Sequence, residues 1–235
     1  MKEEVLSKRL LAAAELVPKG AVTADVGADH AALSLYLLQK GIAPRVVVSD
    51  INPLPLQRGK ETFKDSGLCH RADFVLADGI RPLLKYSPDC FVVAGMGGET
   101  VSGMLCEPDG SLLGKSFVFQ PMTKAPHLRK FLWENGFEIT RDILVWEHKR
   151  LFVVMKAAYS GVKRTLPELE YFAGREVLSR REPLWRECLV FLSSRLEKEI
   201  RGMEISGGVA SKKRALYGEI KDILEGKDYE PKEII

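Results

Sequence analysis

The strongest constraint on this chain is an alternation of short β-branched runs with helix-like stretches over its first 160 residues. Strand candidates fall at Val22–Val26, Arg45–Asp50, Asp73–Ala77, Phe91–Ala94 and Ser116–Phe119. Between them lie the helix candidates Ala31–Lys40, Leu54–Ser66, Glu99–Leu105 and Ala125–Asn135. Ahead of the first strand, Leu6, Leu10, Ala13 or Ala14 and Val17 recur at helical spacing, predicting an amphipathic helix over Glu4–Val17. Such βαβ alternation calls for a mostly parallel sheet covered on both faces. Two further runs, Phe137–Trp146 and Leu151–Ala157, are separated by too few residues for a crossover helix, so they must form an antiparallel hairpin.

A five-stranded parallel sheet closed by an antiparallel hairpin is the layout of the class I methyltransferase Rossmann-like fold. A dinucleotide dehydrogenase half more often continues with another crossover helix. The character then changes. Ser160–Pro167 is a polar link, and Pro183–Met203 and Val209–Leu224 carry heptad-like spacing: Trp185, Leu189, Leu192, Leu196, Ile200 and Met203, then Val209, Leu216, Ile220 and Ile223. A break at Ser206-Gly207-Gly208 turns the two segments into a helical hairpin. The expectation is an α/β domain over residues 1–160 and a C-terminal α-helical coiled-coil domain over 161–235. Two helices packed flat on the first domain are the alternative.

Composition narrows the class. Of 235 residues, 46% are hydrophobic and 29% charged, which suits a chain with a real core and excludes disordered, collagen-like and disulfide-stapled proteins. A formal net charge of +3 is too slight to announce nucleic acid. The cysteines at 69, 90, 106 and 188 form no CxxC or CxxH pair, so buried free thiols are expected and no metal site. The opening MKEEVLSKRL is charged where a signal peptide is apolar, and runs such as Cys90–Met96 are far too short to span a membrane. A reducing cytoplasm is the expected location.

The chemistry concentrates at the strand ends. Asp25-Val26-Gly27-Ala28-Asp29-His30 closes the first strand, at the carboxyl edge where open α/β sheets bind ligands. Asp50 ends the second strand 23 residues after Gly27, close to the ~20-residue offset at which an acid takes ribose hydroxyls. A nucleoside is indicated. A pyrophosphate needs a run of glycines at a helix N-terminus, whereas here one glycine stands between Asp25 and Asp29. Two carboxylates repel phosphate and suit a cationic, phosphate-free ligand: S-adenosylmethionine (SAM) rather than NAD. Asp78-Gly79 ends the third strand, placed to accept from an adenine amine. Ala94-Gly95-Met96-Gly97-Gly98 ends the fourth, opening space for a substrate, and no Gly-Lys-Ser/Thr follows to make it a phosphate loop.

The blocks DVGADHAALS, SDINP, LADGI and VVAGMGGETVSGML, the Gln120-Pro121 pair and the opening Leu6-Ser7-Lys8-Arg9-Leu10 together resemble the TrmK family of bacterial tRNA (adenine-N1)-methyltransferases. The resemblance runs over essentially the whole chain and is weakest in the helical arm. It implies a Rossmann-like methyltransferase domain with a C-terminal coiled coil, SAM as cofactor and tRNA as partner. The implied reaction is methylation at N1 of adenine 22 in the D-arm. On this reading Asp25, Gly27, Asp29, Asp50, Ile51, Asn52, Asp78, Gly79, Ala94, Gly95 and Met96 hold the cofactor. Lys8, Arg9, Gly97, Gly98, Gln120 and Pro121 face the substrate. Ala28, Ala32, Ser34 and Met122 depart from the family's usual Ser or Thr, Tyr, Pro and Asn, the last on the substrate side.

Adenine N1 carries an in-plane lone pair, so it can attack a sulfonium methyl without prior deprotonation. The product ring is cationic, and Asp29 is the carboxylate expected to stabilise it, with His30 orienting the base. Basic residues cluster at Lys8 and Arg9, at Lys124, Arg129 and Lys130, and at Lys212-Lys213-Arg214. Solvated faces are the ordinary reading of such clusters; a tRNA-binding face is the functional one. The readings that stay open are a SAM-dependent enzyme acting on another RNA or protein and a non-catalytic nucleoside-binding coiled-coil protein. An oxidoreductase is disfavoured by the acidic loop.

Overall fold

The computed structural model describes residues 6–206 and 209–231. Seven strands form one sheet: β1 (Thr23–Val26), β2 (Val46–Asp50), β3 (Ala72–Leu76), β4 (Cys90–Gly97), β5 (Ser116–Thr123), β6 (Phe137–Glu147) and β7 (Arg150–Tyr159). Their order is β3-β2-β1-β4-β5-β7-β6. The first five are parallel, and β7 inserts antiparallel between β5 and β6. The hairpin is therefore where the sequence puts it, and the order reverses at β1, creating the crevice at which such sheets bind ligands.

Helices α1 (Lys8–Leu16), α2 (Ala32–Gln39), α3 (Pro53–Lys64), α4 (Gly98–Met104) and α5 (Ala125–Glu134) cover the two faces. Alternation along each strand divides the core. Phe117 and Phe119 of β5 pack with Phe91, Leu128 and Phe137 on one side, while Val118 between them joins Val46, Val48, Leu37 and Phe63 on the other. Three of the rings on the first side form a ladder, Phe91–Phe117 at 5.4 Å and Phe117–Phe119 at 5.8 Å, with Phe137 edge-on to Phe117 at 5.2 Å.

The C-terminal region holds α6 (Arg175–Arg180), α7 (Trp185–Ile205) and α8 (Ser211–Leu224). Helices α7 and α8 run antiparallel, the start of α7 meeting the end of α8 through a 2.9 Å bond from Arg186 to the Leu224 carbonyl. Leu189, Leu192 and Leu196 face Leu216, Ile220 and Ile223, as their spacing predicts, and Ile200 further along α7 is also buried. The same cluster takes in Leu144 of β6, with Leu151 and Val153 of β7 packed against it, so the base of the helical pair is fixed to the hairpin.

Several expectations are corrected. The first helix begins at Lys8, because the Lys8 N–H is capped by the distant Glu147 carboxylate at 2.7 Å and Leu6 and Ser7 lie outside the helix; Glu4 and Val5 fall outside the described residues. Strand β4 continues past Ala94 to Gly97, because Gly95, at φ +84°, makes a bulge and pairing with β5 resumes at Met96. A π-helical turn at Glu170–Gly174 leads into α6, a segment too short for its periodicity to be read from sequence. Val209 is 81% exposed and lies outside the seam. Gly207 and Gly208 of the expected break lie outside the described residues. All four thiols are free, but only Cys90 and Cys188 are buried; Cys69 and Cys106 are exposed. No described helix is long and apolar enough to cross a membrane.

Candidate active site

The carboxyl edge is shaped first by backbone. Gly27 adopts φ +70°, and the Gly27 and Ala28 N–H groups both donate to the Ser49 carbonyl of β2, at 2.7 and 3.1 Å. The chain thus turns sharply off β1 toward α2. Across from it, the Gly95 bulge on β4 sends Met96 back over this turn. A Cβ on Gly27 would fall 1.8 Å from Met96 Cε, so glycine is needed here for contact as well as for φ.

A cavity of about 540 Å³ opens between these turns, within the ~300–1,000 Å³ typical of small-ligand sites. Asp25, Gly27, Asp29 and His30 line one wall, Ala94, Gly95 and Met96 a second, and Arg9 and Met122 a third. Asp25 is buried and accepts a 2.7 Å hydrogen bond from Ser34 Oγ. Burial pushes its carboxyl up to about 6, the Ser34 bond only partly offsetting that. Asp29 is solvent-exposed, 3.5 Å from His30 Nε2 and 3.6 Å from an Arg58 nitrogen of α3.

Asp50, Ile51, Asn52, Asp78 and Gly79 lie along the same edge, at the ends of β2 and β3, outside the cavity lining. Asp50 is half-buried and accepts from the Asn52 N–H at 2.8 Å; Ile51 is left 60% exposed beside it. The two groups together make an elongated surface with acids at both ends and an unpartnered apolar side chain between. That donor set fits SAM: carboxylates for its ammonium and ribose hydroxyls, an apolar face for its adenine, and no cradle of positive charge for phosphate.

The third wall was only partly legible. Arg9 donates from Nε to Glu147 at 3.1 Å and from Nη1 to Gln120 Oε1 at 3.1 Å, and Nη1 lies 3.0 Å from Met122 Sδ. Its guanidinium also stacks over Phe152, 5.7 Å from the ring centroid. Gln120 and Pro121 are buried, and the Gln120 amide is held by Arg9 rather than turned to the cavity. Glu147 and Phe152 escaped the sequence reading because nothing local marks them; they sit some 140 residues from Arg9 on strands that topology brings back. The one signal was Glu147's place just before a two-residue turn.

The glycines of the run play different parts. Gly95 lines the cavity, whereas a Cβ on Gly97 would meet Thr123 Oγ1 at 3.2 Å and one on Gly98 would meet the Lys124 carbonyl oxygen at 2.5 Å. Those two glycines permit β4 and the start of α4 to approach the β5–α5 turn. They do not open space for a substrate.

The basic clusters also divide. Arg129 is 1% exposed, not part of a solvated face: it chelates Asp142 at 2.6 and 3.1 Å and donates to the carbonyls of Tyr171 and Phe172. Its neighbour Lys130 stays exposed and pairs with Glu134 at 3.9 Å, and Lys124 pairs with Glu99 at 3.8 Å. In the helical pair, Lys213 and Arg214 are ion-paired to Glu199 and Glu204. Lys8 contributes its backbone N–H to Glu147 and leaves its side chain exposed. No group of three or more His, Cys, Asp or Glu able to hold a metal ion occurs among the described residues.

A family profile described as a methyltransferase domain matches residues 6–155. The chain is 31% identical over 170 residues to the tRNA (adenine(22)-N(1))-methyltransferase of Bacillus subtilis strain 168, covering 69% of this chain and 71% of that one. Among solved structures, a protein of the NADB-Rossmann superfamily from Streptococcus agalactiae superposes with a TM-score of 0.82 at 26% identity, over 94% of this chain and 97% of that one. M. capricolum TrmK, solved with S-adenosyl-homocysteine, superposes with a TM-score of 0.77 at 21% identity, over 94% and 98%, and shares the fold.

Proposed function

The chain belongs to the tRNA (adenine(22)-N1)-methyltransferase family, and from that premise we propose that it methylates N1 of adenine 22 of tRNA, with SAM as methyl donor. The observation that carries this reading is the cavity in which the Asp25-Gly27-Asp29 turn faces the Gly95-Met96 bulge. It offers acids and close backbone where a phosphate-bearing cofactor would need cations.

SAM, when bound, supplies an electrophilic methyl group on a sulfonium. Asp25 and Asp29 hold the positive end of that ligand, while Asp50, Ile51, Asn52, Asp78 and Gly79 hold the nucleoside. The adenine N1 lone pair forms the new N–C bond as the C–S bond breaks, so no general base is needed before transfer. Orienting the base against the donor is then the main contribution of the protein. N1 of a paired adenine is engaged in the duplex, so the base must leave its stack to enter the cavity. The adenine ring gains a positive charge on transfer; Asp29 stabilises it through space, and His30, 3.5 Å from Asp29, orients the N6 side of the base.

We assign residues 1–160 to SAM binding and catalysis and 161–235 to a helical coiled-coil domain. Free cysteines at all four positions support a reducing, cytoplasmic setting. The test is methyl transfer from labelled SAM to an unmodified tRNA transcript carrying A22 and to one carrying G22, followed by nucleoside analysis. N1-methyladenosine from the first transcript and none from the second is the expected result. Absence of N1-methyladenosine from the A22 transcript would overturn the assignment.

A further inference from the structure

The hairpin of β6 and β7 ends at the same edge of the sheet as the active-site cavity, since β6 runs parallel to β5. Its turn is His148-Lys149, closed by the Glu147–Arg150 pair. Both turn residues are left-handed, at φ +45° and +60°. Two-residue hairpins favour this geometry, but ordinarily with Asn and Gly. A non-glycine residue there costs roughly 1–2 kcal/mol, so His and Lys occupy both positions against a local preference.

What the turn presents is positive charge. Glu147 is the carboxylate at this corner, and Arg9 Nε and the Lys8 N–H already occupy both of its oxygens. The guanidiniums of Arg9 and Arg150 both lie over the Phe152 ring, 5.7 and 5.4 Å from its centroid, which brings two cations to one side chain. Lys8, His148, Lys149 and Arg150 are exposed, and among the described residues none of their side chains has a carboxylate partner. Among the described residues, the corner therefore carries Lys8, Arg9, Lys149 and Arg150 against the Glu147 carboxylate. In the helical pair, by contrast, Arg195, Arg201, Lys213 and Arg214 each face a glutamate.

We propose that this corner, Lys8 with the His148-Lys149-Arg150 turn, is a docking site for the phosphodiester backbone of the substrate RNA. It grips the phosphates next to the nucleotide that enters the cavity. The inference rests on the tRNA-methyltransferase reading and adds where the strand is held. Arg9 couples the two sites: it lines the cavity and shares the Phe152 ring with Arg150. A strand held at the turn thus has its adjoining base delivered to the wall formed by Arg9 and Met122. A surface set of lysine and arginine with no internal counter-ion binds phosphate by releasing condensed cations, so its contribution is read directly in the salt dependence.

The test compares wild-type protein with Lys149→Ala/Arg150→Ala and with a control, Lys212→Ala/Lys221→Ala, that removes equal charge from α8. Affinity for an unmodified tRNA transcript is measured over a salt series. SAM affinity and kcat at saturating tRNA are measured alongside. The turn variant should bind tRNA about tenfold more weakly at ~0.1 M salt and lose roughly two in the slope of log K against log salt. Its SAM affinity and kcat should stay unchanged, and Lys149→Arg should retain wild-type affinity. Equal affinity and slope in the turn variant and wild type, or an equal loss in the α8 control, would overturn the proposal while the wild type still methylates tRNA. A wild-type protein that neither binds nor methylates tRNA would instead sink the functional reading beneath it.

Discussion

Ser34 donates a 2.7 Å hydrogen bond to the carboxylate of Asp25, which is buried at the end of β1 and lines the cavity. The pair joins the first strand to the helix after the glycine turn, and burial raises the acid to about 6 against the Ser34 bond that lowers it. A folded-state value above the ordinary carboxylate range means that burial disfavours the ionised acid, which still predominates at neutral pH. The contribution to stability is then complete below pH ~4 and is lost as pH rises through about 6. Asp25→Asn should therefore raise the melting temperature at neutral pH, with the gain shrinking toward pH ~5.

Cofactor affinity should move the other way. A cationic ligand favours ionised Asp25, so SAM binding by calorimetry should weaken as pH falls below about 6. Asp25→Asn should bind weakly with a flat profile. Ser34→Ala, lacking the bond that lowers the carboxyl, should shift the midpoint upward. A wild-type profile that is flat from pH ~5 to ~8 would remove Asp25 from cofactor binding.

Gly27→Ala meets two penalties at once: a φ of +70° and a methyl 1.8 Å from Met96 Cε. The backbone term alone is about 1–2 kcal/mol. The variant should melt lower and bind SAM poorly. Adding Met96→Ala should recover part of the stability, because it relieves the contact and leaves the backbone strain. No recovery in the double variant would show that Met96 yields freely.

Arg129 and Asp142 form a buried pair that also binds the carbonyls of the turn before α6. Removing one partner strands the other charge, so Arg129→Met should cost about 3–5 kcal/mol by denaturant unfolding. Arg129→Met/Asp142→Leu should cost less than the single change despite the loss of more polar contacts. A double variant as unstable as the single one would place the energy in the carbonyl bonds rather than in the ion pair.

Asp29 stands at the cavity mouth, exposed and close to His30 and Arg58. Asp29→Ala should keep the fold and melting temperature and lower kcat by roughly 10²-fold, the scale of losing one electrostatic stabiliser of developing charge. Single-turnover methyl transfer at saturating SAM and tRNA measures this. Wild-type turnover would leave Asp29 without a chemical role.

Much of this protein is written in local sequence. Alternating apolar runs set strands and helices because burial depends on periods of 2 and 3.6 residues, and the short link around His148, Lys149 and Arg150 allows only a hairpin. Asp25, Gly27, Asp29, Asp50 and Asp78 were legible because each lies at or just after a strand end, and strand ends in a parallel sheet share one edge. Arg129 could not be assigned from its neighbours Lys124 and Lys130. Its burial depends on Asp142 and the Tyr171 and Phe172 carbonyls, which packing alone brings to it. The same holds for Glu147, which caps α1 across 139 residues, and for the basic corner around it. Sequence determined which elements form and which ends carry acid. Only tertiary structure decided which charges are spent inside the protein and which are left for a ligand, because that depends on contacts between segments whose separation along the chain carries no local signal.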